Sequence, residues 1–584
     1  MKKISLNGQW DFAADLDPKY HEDKSIHQIH PYTQPKAVRL HWKKVPVPGV
    51  WQKYGERYDI FEGVCWFARE FYIDEDIITS AYLRFGGVNY FCDVYVNGNY
   101  IGSHEGGYTE FTLELDTKHL RKGENHIALR ADNRATTTKW PPCLGYFNYG
   151  GIHRDVTLEL ACGPHMLDVT LSAVPMENGY QLNAKLFVKE YSNELTVKIR
   201  CQSQTAAVPV TKDGAAKVSL ALPDAQSWSP ESPALYEVEI NLCDGDKLID
   251  IFTVSYGFKT IAVEDTAVKL NGQLLKLNGV CYVYDSPVSG LRMTREQTET
   301  DISLMKEMGV NAVRCHYPMD KIFYEICDRE GILVWIEPPV YCYHPGDNET
   351  ETKFSDKEWL ELAKNMISEM IDSAKNHPCI AIYSIGNECN TINPEAQKFF
   401  TSLASTIREK DASRLVSYAA LYGCVGPLSD IVDILGVNSY YGWYDKIHSG
   451  KRSESANEGQ NLKREPIDLT SMKNMLDKII GEAKKNLALL LTEFGADSVP
   501  GFYAAGRDLW SENYHAELLD EIFKLADEYP QIIGTFPFSF TDYRDPSKML
   551  NAYWNELNLK GAVTYNREKK LAFDAIRKNY RGIF

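Results

Sequence analysis

Two glutamates end apolar runs, where a charge is out of place. The stretch "AIYSIGNECN" (381–390) leads five mostly apolar residues into Gly386, Asn387 and Glu388, and "LLLTEFG" (489–495) leads another run into Glu493. A buried strand ordinarily stops at turn residues that face water. A carboxylate there, with a glycine beneath it to let the backbone approach closely, is a charge set on the rim of a core. Two such carboxylates converging on one bond are the minimum apparatus for glycoside hydrolysis. One donates a proton to the leaving oxygen, and the other stabilises or attacks an oxocarbenium-like centre. Either glutamate alone is as readily a salt-bridged rim residue; the pair favours chemistry.

The elements around them must bring the two together. From about residue 264, strand-like runs alternate with helical stretches: "LKLNGVCY", "VNAVRCHYP", "ILVWIEPPV", "IAIYSIGNE", "RLVSYAA", "ILGVNSYYGWY", "ALLLTEFGAD" and "IIGTFPFSF", with amphipathic segments such as "EQTETDISLMKEM" between. Eight strands with helical crossovers in roughly 320 residues is the arithmetic of a (β/α)8 barrel. Continuous apolar strands agree, because parallel strands are covered on both faces. An open doubly wound sheet would not explain polar groups ending nearly every strand. A barrel gathers its chemistry at the C-terminal strand ends, and the count puts Glu388 after the fourth strand and Glu493 at the end of the seventh.

The first 260 or so residues read as β structure, with short alternating runs such as "CDVYVNG", "HIALRAD" and "KVSLAL" separated by Gly, Asn, Asp and Pro clusters. Asn97-Gly98 marks a hairpin. Gly163-Pro164 and "SYGFKTI" (255–261) are the candidate boundaries. The predicted division is a β-sandwich at 1–163, a second sandwich at 164–262 and the barrel at 263–584.

Composition narrows the partners. An apolar fraction of 44% with 24% charged residues is that of a globular chain, and a net charge of −17 argues against nucleic acid and anionic lipid as partners. No run of 18 apolar residues occurs, and "MKKISLNGQWDF" lacks an apolar leader, so neither a membrane span nor export is expected. Thirteen cysteines without a CxxC pair fit reduced thiols in a cytoplasm. HExxH, P-loop, GxGxxG and EF-hand patterns are absent, so no metal or other cofactor is expected.

Longer motifs carry a family resemblance. "SIGNE" and "TEFGAD" resemble the acid/base and nucleophile segments of glycoside hydrolase family 2, which contains β-glucuronidases and β-galactosidases. "LNGQWDF" (6–12), "VPVPGVWQ" (45–52), "DVYVNGNYIGSHEGGYTEF" (93–111) and "FNYGGIHRDV" (147–156) resemble its N-terminal sugar-binding-like jelly roll. "YGFKTIAV" (256–263) resembles the exit from its immunoglobulin-like domain, and "NAVRCHYPMDKIFYEICDREGILVWIE" (311–337) its barrel signature. The resemblance implies that Glu388 is the acid/base and Glu493 the nucleophile of a retaining mechanism. It also implies that Asn387 binds the sugar 2-hydroxyl, that Tyr440 holds the nucleophile, and that Tyr444 contacts the sugar.

"NLKGAVTYNREKK" (558–570) resembles the Asn-x-Lys segment by which β-glucuronidases hold the sugar carboxylate, which would give that role to Asn558 and Lys560. A small carbohydrate conjugate or oligosaccharide is the expected substrate, and a homo-oligomer the expected assembly. Departures from the pattern are Gly145 for an Asp, Phe538 for a Trp, Trp554 for an Arg, "NGVCYVYD" (278–285) without its Arg-His-Glu, and one residue too few between Arg314 and His316. β-Galactosidase or β-galacturonidase activity is the alternative within the family. Outside it stand a non-catalytic carbohydrate-binding protein and a hydrolase using Cys389.

Overall fold

The computed structural model describes residues 1–17, 41–136, 139–142, 145–191, 194–349, 351–422, 426–448, 467–482, 487–504, 508–548 and 556–582. Trp554 lies outside the described residues, and so does 449–466 of the polar stretch at about 446–470, "KIHSGKRSESANEGQNLKREPIDLT", which from its length and composition is expected to be a loop shaping aglycone access. Its two ends fall in helices Tyr444–His448 and Thr470–Glu482.

The N-terminal region is a jelly roll of a four-stranded and a six-stranded antiparallel sheet. Trp10, Phe12, Phe67, Leu83, Phe85, Val94, Leu129 and Leu158 fill the space between them. Asn97 and Gly98 both take positive φ, 49° and 81°, between strands Phe91–Val96 and Asn99–Glu105, the turn that the sequence predicts. The middle region is an immunoglobulin-like sandwich of a three-stranded and a four-stranded sheet. Its strand Tyr180–Lys189 alternates buried and outward residues, as one covered face requires.

The last region is a closed barrel of eight strands. In chain order they are β1 (Leu277–Tyr282), β2 (Ala312–Cys315), β3 (Leu333–Ile336), β4 (Ile380–Asn387), β5 (Leu415–Leu421), β6 (Ile434–Asn438), β7 (Ala488–Glu493) and β8 (Ile532–Thr535). Every pairing is parallel, and β1 closes on β8. Every residue of β4 is buried, which is why it reads as an unbroken apolar run. The first barrel helix, Arg295–Met308, starts where Thr294 accepts from the backbone N–H of Gln297 and ends at Gly309 in the left-handed region. Among the described residues no helix is long and apolar enough to cross a membrane.

The sandwiches are bonded to the barrel. Trp140 stacks on Trp359 with centroids 3.7 Å apart, and Tyr108 on Tyr317 at 4.2 Å. Buried Arg154 donates to the carbonyls of Tyr108 in the jelly roll and Pro318 in the barrel, each at 2.6 Å, and lies 3.9 Å from Asp320. Trp228 Nε1 donates to the Asp328 carbonyl at 2.8 Å, tying the middle sandwich down. Replacing Arg154 with Met leaves these acceptors dry, and destabilisation of about 2–4 kcal/mol is expected. A thermal melt checks this: a midpoint equal to that of the parent protein would rule out a structural role for the linkage.

Candidate active site

Both glutamates follow irregularities in their strands. The pairing of β4 with β5 slips by one residue between Ser384 and Asn387, and that of β6 with β7 slips opposite Thr492. A bulge re-aims the side chains beyond it. The first bulge depends on Gly386, at φ 154°, where a Cβ would sit 2.7 Å from the Val340 carbonyl. Glu388 follows at φ 50°, its N–H donating to the Ala419 carbonyl at 2.9 Å. The second bulge turns the Thr492 carbonyl inward, where it accepts from Arg314 at 3.1 Å.

One cleft of about 260 Å³ at the barrel mouth is lined by all seven residues that the sequence singles out: Asn387, Glu388, Tyr440, Tyr444, Glu493, Asn558 and Lys560. Gly145 and Tyr146 of the jelly roll close one side, and nothing lies within 4 Å of a Cβ built at Gly145. Phe538 forms part of the wall, its ring 5.7 Å from that of His316. A larger cleft of about 900 Å³, between Lys43–Tyr54, Ser286–Thr294 and Tyr565–Arg567, contains neither glutamate, so chemistry and not size marks the site. Cys389 is buried and lies outside both clefts.

The two glutamates sit in opposite electrostatic settings. Glu493 is held at both oxygens, by Arg314 Nη1 at 2.8 Å and by Tyr440 Oη at 2.8 Å. Arg314 is fully buried and also grips Glu337 through Nε at 2.7 Å and Nη2 at 3.2 Å. Burial alone would push Glu337 up; the charges of Arg314 and His316 hold it below the usual carboxylate range. Among the described residues Glu388 has no such cation bonded to it. Its Oε1 accepts from Asn438 Nδ2 at 2.8 Å, and Cys342 Sγ lies 3.8 Å from Oε2. Burial and then the nearby charge of Glu493 push Glu388 up to about 8. A carboxyl raised in this way is suited to hold a proton and to donate it. Asn387 Oδ1 accepts from Arg314 at 2.8 Å and Asn438 at 2.9 Å, which leaves its NH2 as the group available to a ligand.

The chain matches three consecutive profiles of one family. "Glycosyl hydrolases family 2, TIM barrel domain" covers residues 261–584, "sugar binding domain" 3–161, and "Glycosyl hydrolases family 2" 156–259. The chain is a family 2 glycoside hydrolase. The enzyme is 25% identical to a β-glucuronidase of Paenibacillus borealis, with 98% of this chain and 96% of that one covered. It is 28% identical to a putative β-glucuronidase of Formosa agariphila, over 91% of this chain but only 66% of that longer protein. Among solved structures, a β-galacturonidase from Eisenbergiella tayi bound to galacturonate is 25% identical, covers 100% of this chain with 98% of its own, and has a TM-score of 0.84.

Several residues of the cleft's network escape motif reading. Glu337 directly follows β3, and Asn438 closes β6, so both obey the rule that exposed Glu388 and Glu493: a polar group ending an apolar run. Arg314 and His316, read from sequence as a departure in spacing, both reach Glu337, and His316 lies 3.7 Å from Glu493. Asp497 closes the quoted "TEFGAD" without a role being read for it, and Lys548 lies in no quoted motif. Among the described residues, no group of three or more His, Cys, Asp or Glu could hold a metal ion.

The far end of the cleft holds a partner that the sequence reading does not foresee. From sequence, Lys560 is an ammonium waiting for a substrate carboxylate. In the structure it is bonded to Asp497, and both are buried. Burial opposes the charge on each, but each holds the other ionised: Lys560 lies above its usual range and Asp497 below. Asp497 is further fixed by Trp443 Nε1 and the Leu559 N–H, each at 3.0 Å. Lys560→Met therefore strands a buried anion, and destabilisation of about 3–5 kcal/mol is expected whatever the substrate. Thermal melts of Lys560→Met with and without Asp497→Asn check this: the second change should recover part of the loss, and purely additive losses would count against the pair.

Proposed function

We propose that the enzyme is a retaining exo-β-glycosidase that removes terminal β-D-uronic acids, β-D-glucuronides foremost, by double displacement. The observation that carries this reading is the pairing in one cleft of a raised Glu388 with a Glu493 held by Arg314 and Tyr440. Glu493 attacks the anomeric carbon while Glu388 protonates the departing glycosidic oxygen. The glycosyl ester on Glu493 is then hydrolysed by a water that Glu388, now ionised, deprotonates, and the product keeps the β configuration. The Asn387 NH2 bonds the 2-hydroxyl, a contact that strengthens as the ring flattens toward the oxocarbenium ion. Tyr440 donates to the nucleophile and keeps it turned toward the sugar.

The uronide preference rests on a cleft lined by two ammonium groups, Lys548 and Lys560, beside Asn558 and Tyr444, together with the activity that the curated relatives' names state. β-D-Galacturonides are the second reading, favoured by the similarity to the galacturonidase bound to galacturonate. Free thiols at Cys65, Cys92, Cys201 and Cys243 support a reducing, cytoplasmic setting.

Two outcomes test the chemistry. Proton donation needs Glu388 protonated, a form present below a pH of about 8 and lost above it. The alkaline limb of kcat/KM should therefore be centred near that value for substrates with poor leaving groups. A limb that persists in Glu388→Gln would reassign the acid. Second, azide should rescue Glu388→Ala on an activated nitrophenyl uronide and give the β-glycosyl azide. An α-configured sugar as the first product of the parent enzyme, seen by NMR, would exclude retention.

A further inference from the structure

Two ammonium groups face the glycone end of the cleft, and they are not equivalent. Lys560 is fully buried and already bonded to a carboxylate, so an arriving anion meets an ion pair with no net charge. Lys548 is half-buried. Among the described residues its ammonium makes no ion pair, and its side-chain hydrogen bond goes to a neutral phenol, Tyr444 Oη at 3.0 Å. An ammonium has three donors, so this bond leaves others for a ligand.

Two carboxylates feel the charge of Lys548 without being bonded to it: Lys548 favours the ionised form of both Asp497 and Asp545, whose oxygens are taken by other donors. One oxygen of Asp545 accepts from Ser547 N at 3.0 Å and Ser547 Oγ at 2.6 Å, and the other accepts from Asn558 Nδ2 at 3.3 Å. Asp545 thereby shapes the turn that carries Lys548, whose own N–H donates to the Asp545 carbonyl at 3.0 Å. That turn leaves strand Tyr543–Arg544, which pairs with strand Leu557–Asn558. Lys548 and Asn558 are thus mounted on one two-stranded ribbon. The Tyr444 ring stands between the ammonium groups, 5.3 Å from Lys548 Nζ and 5.0 Å from Lys560 Nζ.

We propose that Lys548 is the specificity-determining cation of the cleft, selecting a glycone that bears a carboxylate, while Lys560 with Asp497 forms a neutral, rigid floor. The proposal rests on the uronide reading above. A charge bonded only to a neutral partner in a partly desolvated cleft discriminates an anion from a neutral hydroxymethyl group; a compensated pair discriminates by hydrogen-bond geometry alone.

The test compares the parent enzyme, Lys548→Met and Lys548→Arg on nitrophenyl β-D-glucuronide, β-D-galacturonide and β-D-galactoside. The readout is the ratio of kcat/KM for each uronide to that for the galactoside, in which general damage cancels. With Met the ratio should fall by about 10- to 100-fold, the scale of a charge-assisted hydrogen bond, and Arg should recover most of it. Free D-glucuronate as an inhibitor gives a second measure without turnover: its Ki should rise with Met, while that of D-glucose should move far less. A ratio that stays within about threefold of the parent's in the Met variant, or one that Arg does not recover, overturns the proposal. Should the parent enzyme itself prefer the galactoside, the uronide reading fails on that measurement alone, before any variant is considered.

Discussion

The guanidinium of Arg314 has no contact with solvent, yet six bonds leave it: two to Glu337, one each to Glu493, the Thr492 carbonyl and Asn387, and a long one to Cys281 Sγ at 3.6 Å. Removing such a cation from water costs several kcal/mol, and only a near-complete set of acceptors offsets that. Glu337 does much of the offsetting, which frees remaining donors for Glu493 and Asn387, both of which line the cleft. By bonding Glu493 and not Glu388, Arg314 makes two chemically identical side chains different. Glu388, without that cation, is raised by burial first and by the charge of Glu493 second.

The barrel is what allows that cation to reach so many partners. Cys281, Arg314, Glu337, Asn387, Asn438 and Thr492 come from six different strands or their immediate ends, and no local segment could gather them. A regular strand would still aim Glu388 and Glu493 according to a strict alternation of faces. The slips at Gly386 and Thr492 break that alternation at the last residues, where backbone strain disturbs the ladder least. The jelly roll then supplies Gly145 and Tyr146 as a wall, which is one reason for the polar and aromatic seam between it and the barrel.

Much of this was legible in the sequence because it is written in short periods. Continuous apolar runs gave eight strands, and polar residues ending those runs gave the two glutamates. The same rule reached Glu337 and Asn438 as well, but their value depends on Arg314, whose importance lies in what surrounds it in three dimensions. A buried arginine inside "AVRCHY" has no periodic signature. Lys560 was visible as a cation, while its neutralisation by Asp497 was not, because the two are 63 residues apart in the chain. Lys548 lies in an irregular turn whose composition resembles any surface loop.

The placement of Lys548 has a consequence for how a uronide would lie in the cleft. Glu388 and Glu493 line it together with Lys548 and with Lys560, whose charge Asp497 balances. On the roles proposed above, a sugar carboxylate drawn to Lys548 would leave the anomeric carbon facing Glu493, the orientation that the proposed chemistry requires. Positive charge would then develop at the anomeric centre as the aglycone departs, beside a carboxylate whose donors are already in place. The ground state gains at the carboxylate and the transition state gains additionally at the ring, so binding at the far end positions the sugar while the rate advantage arises at Glu493. A neutral glycone would meet the same nucleophile without the orienting pull, and its discrimination would fall to the hydroxyl contacts of Asn387 and the shape of the Phe538 wall.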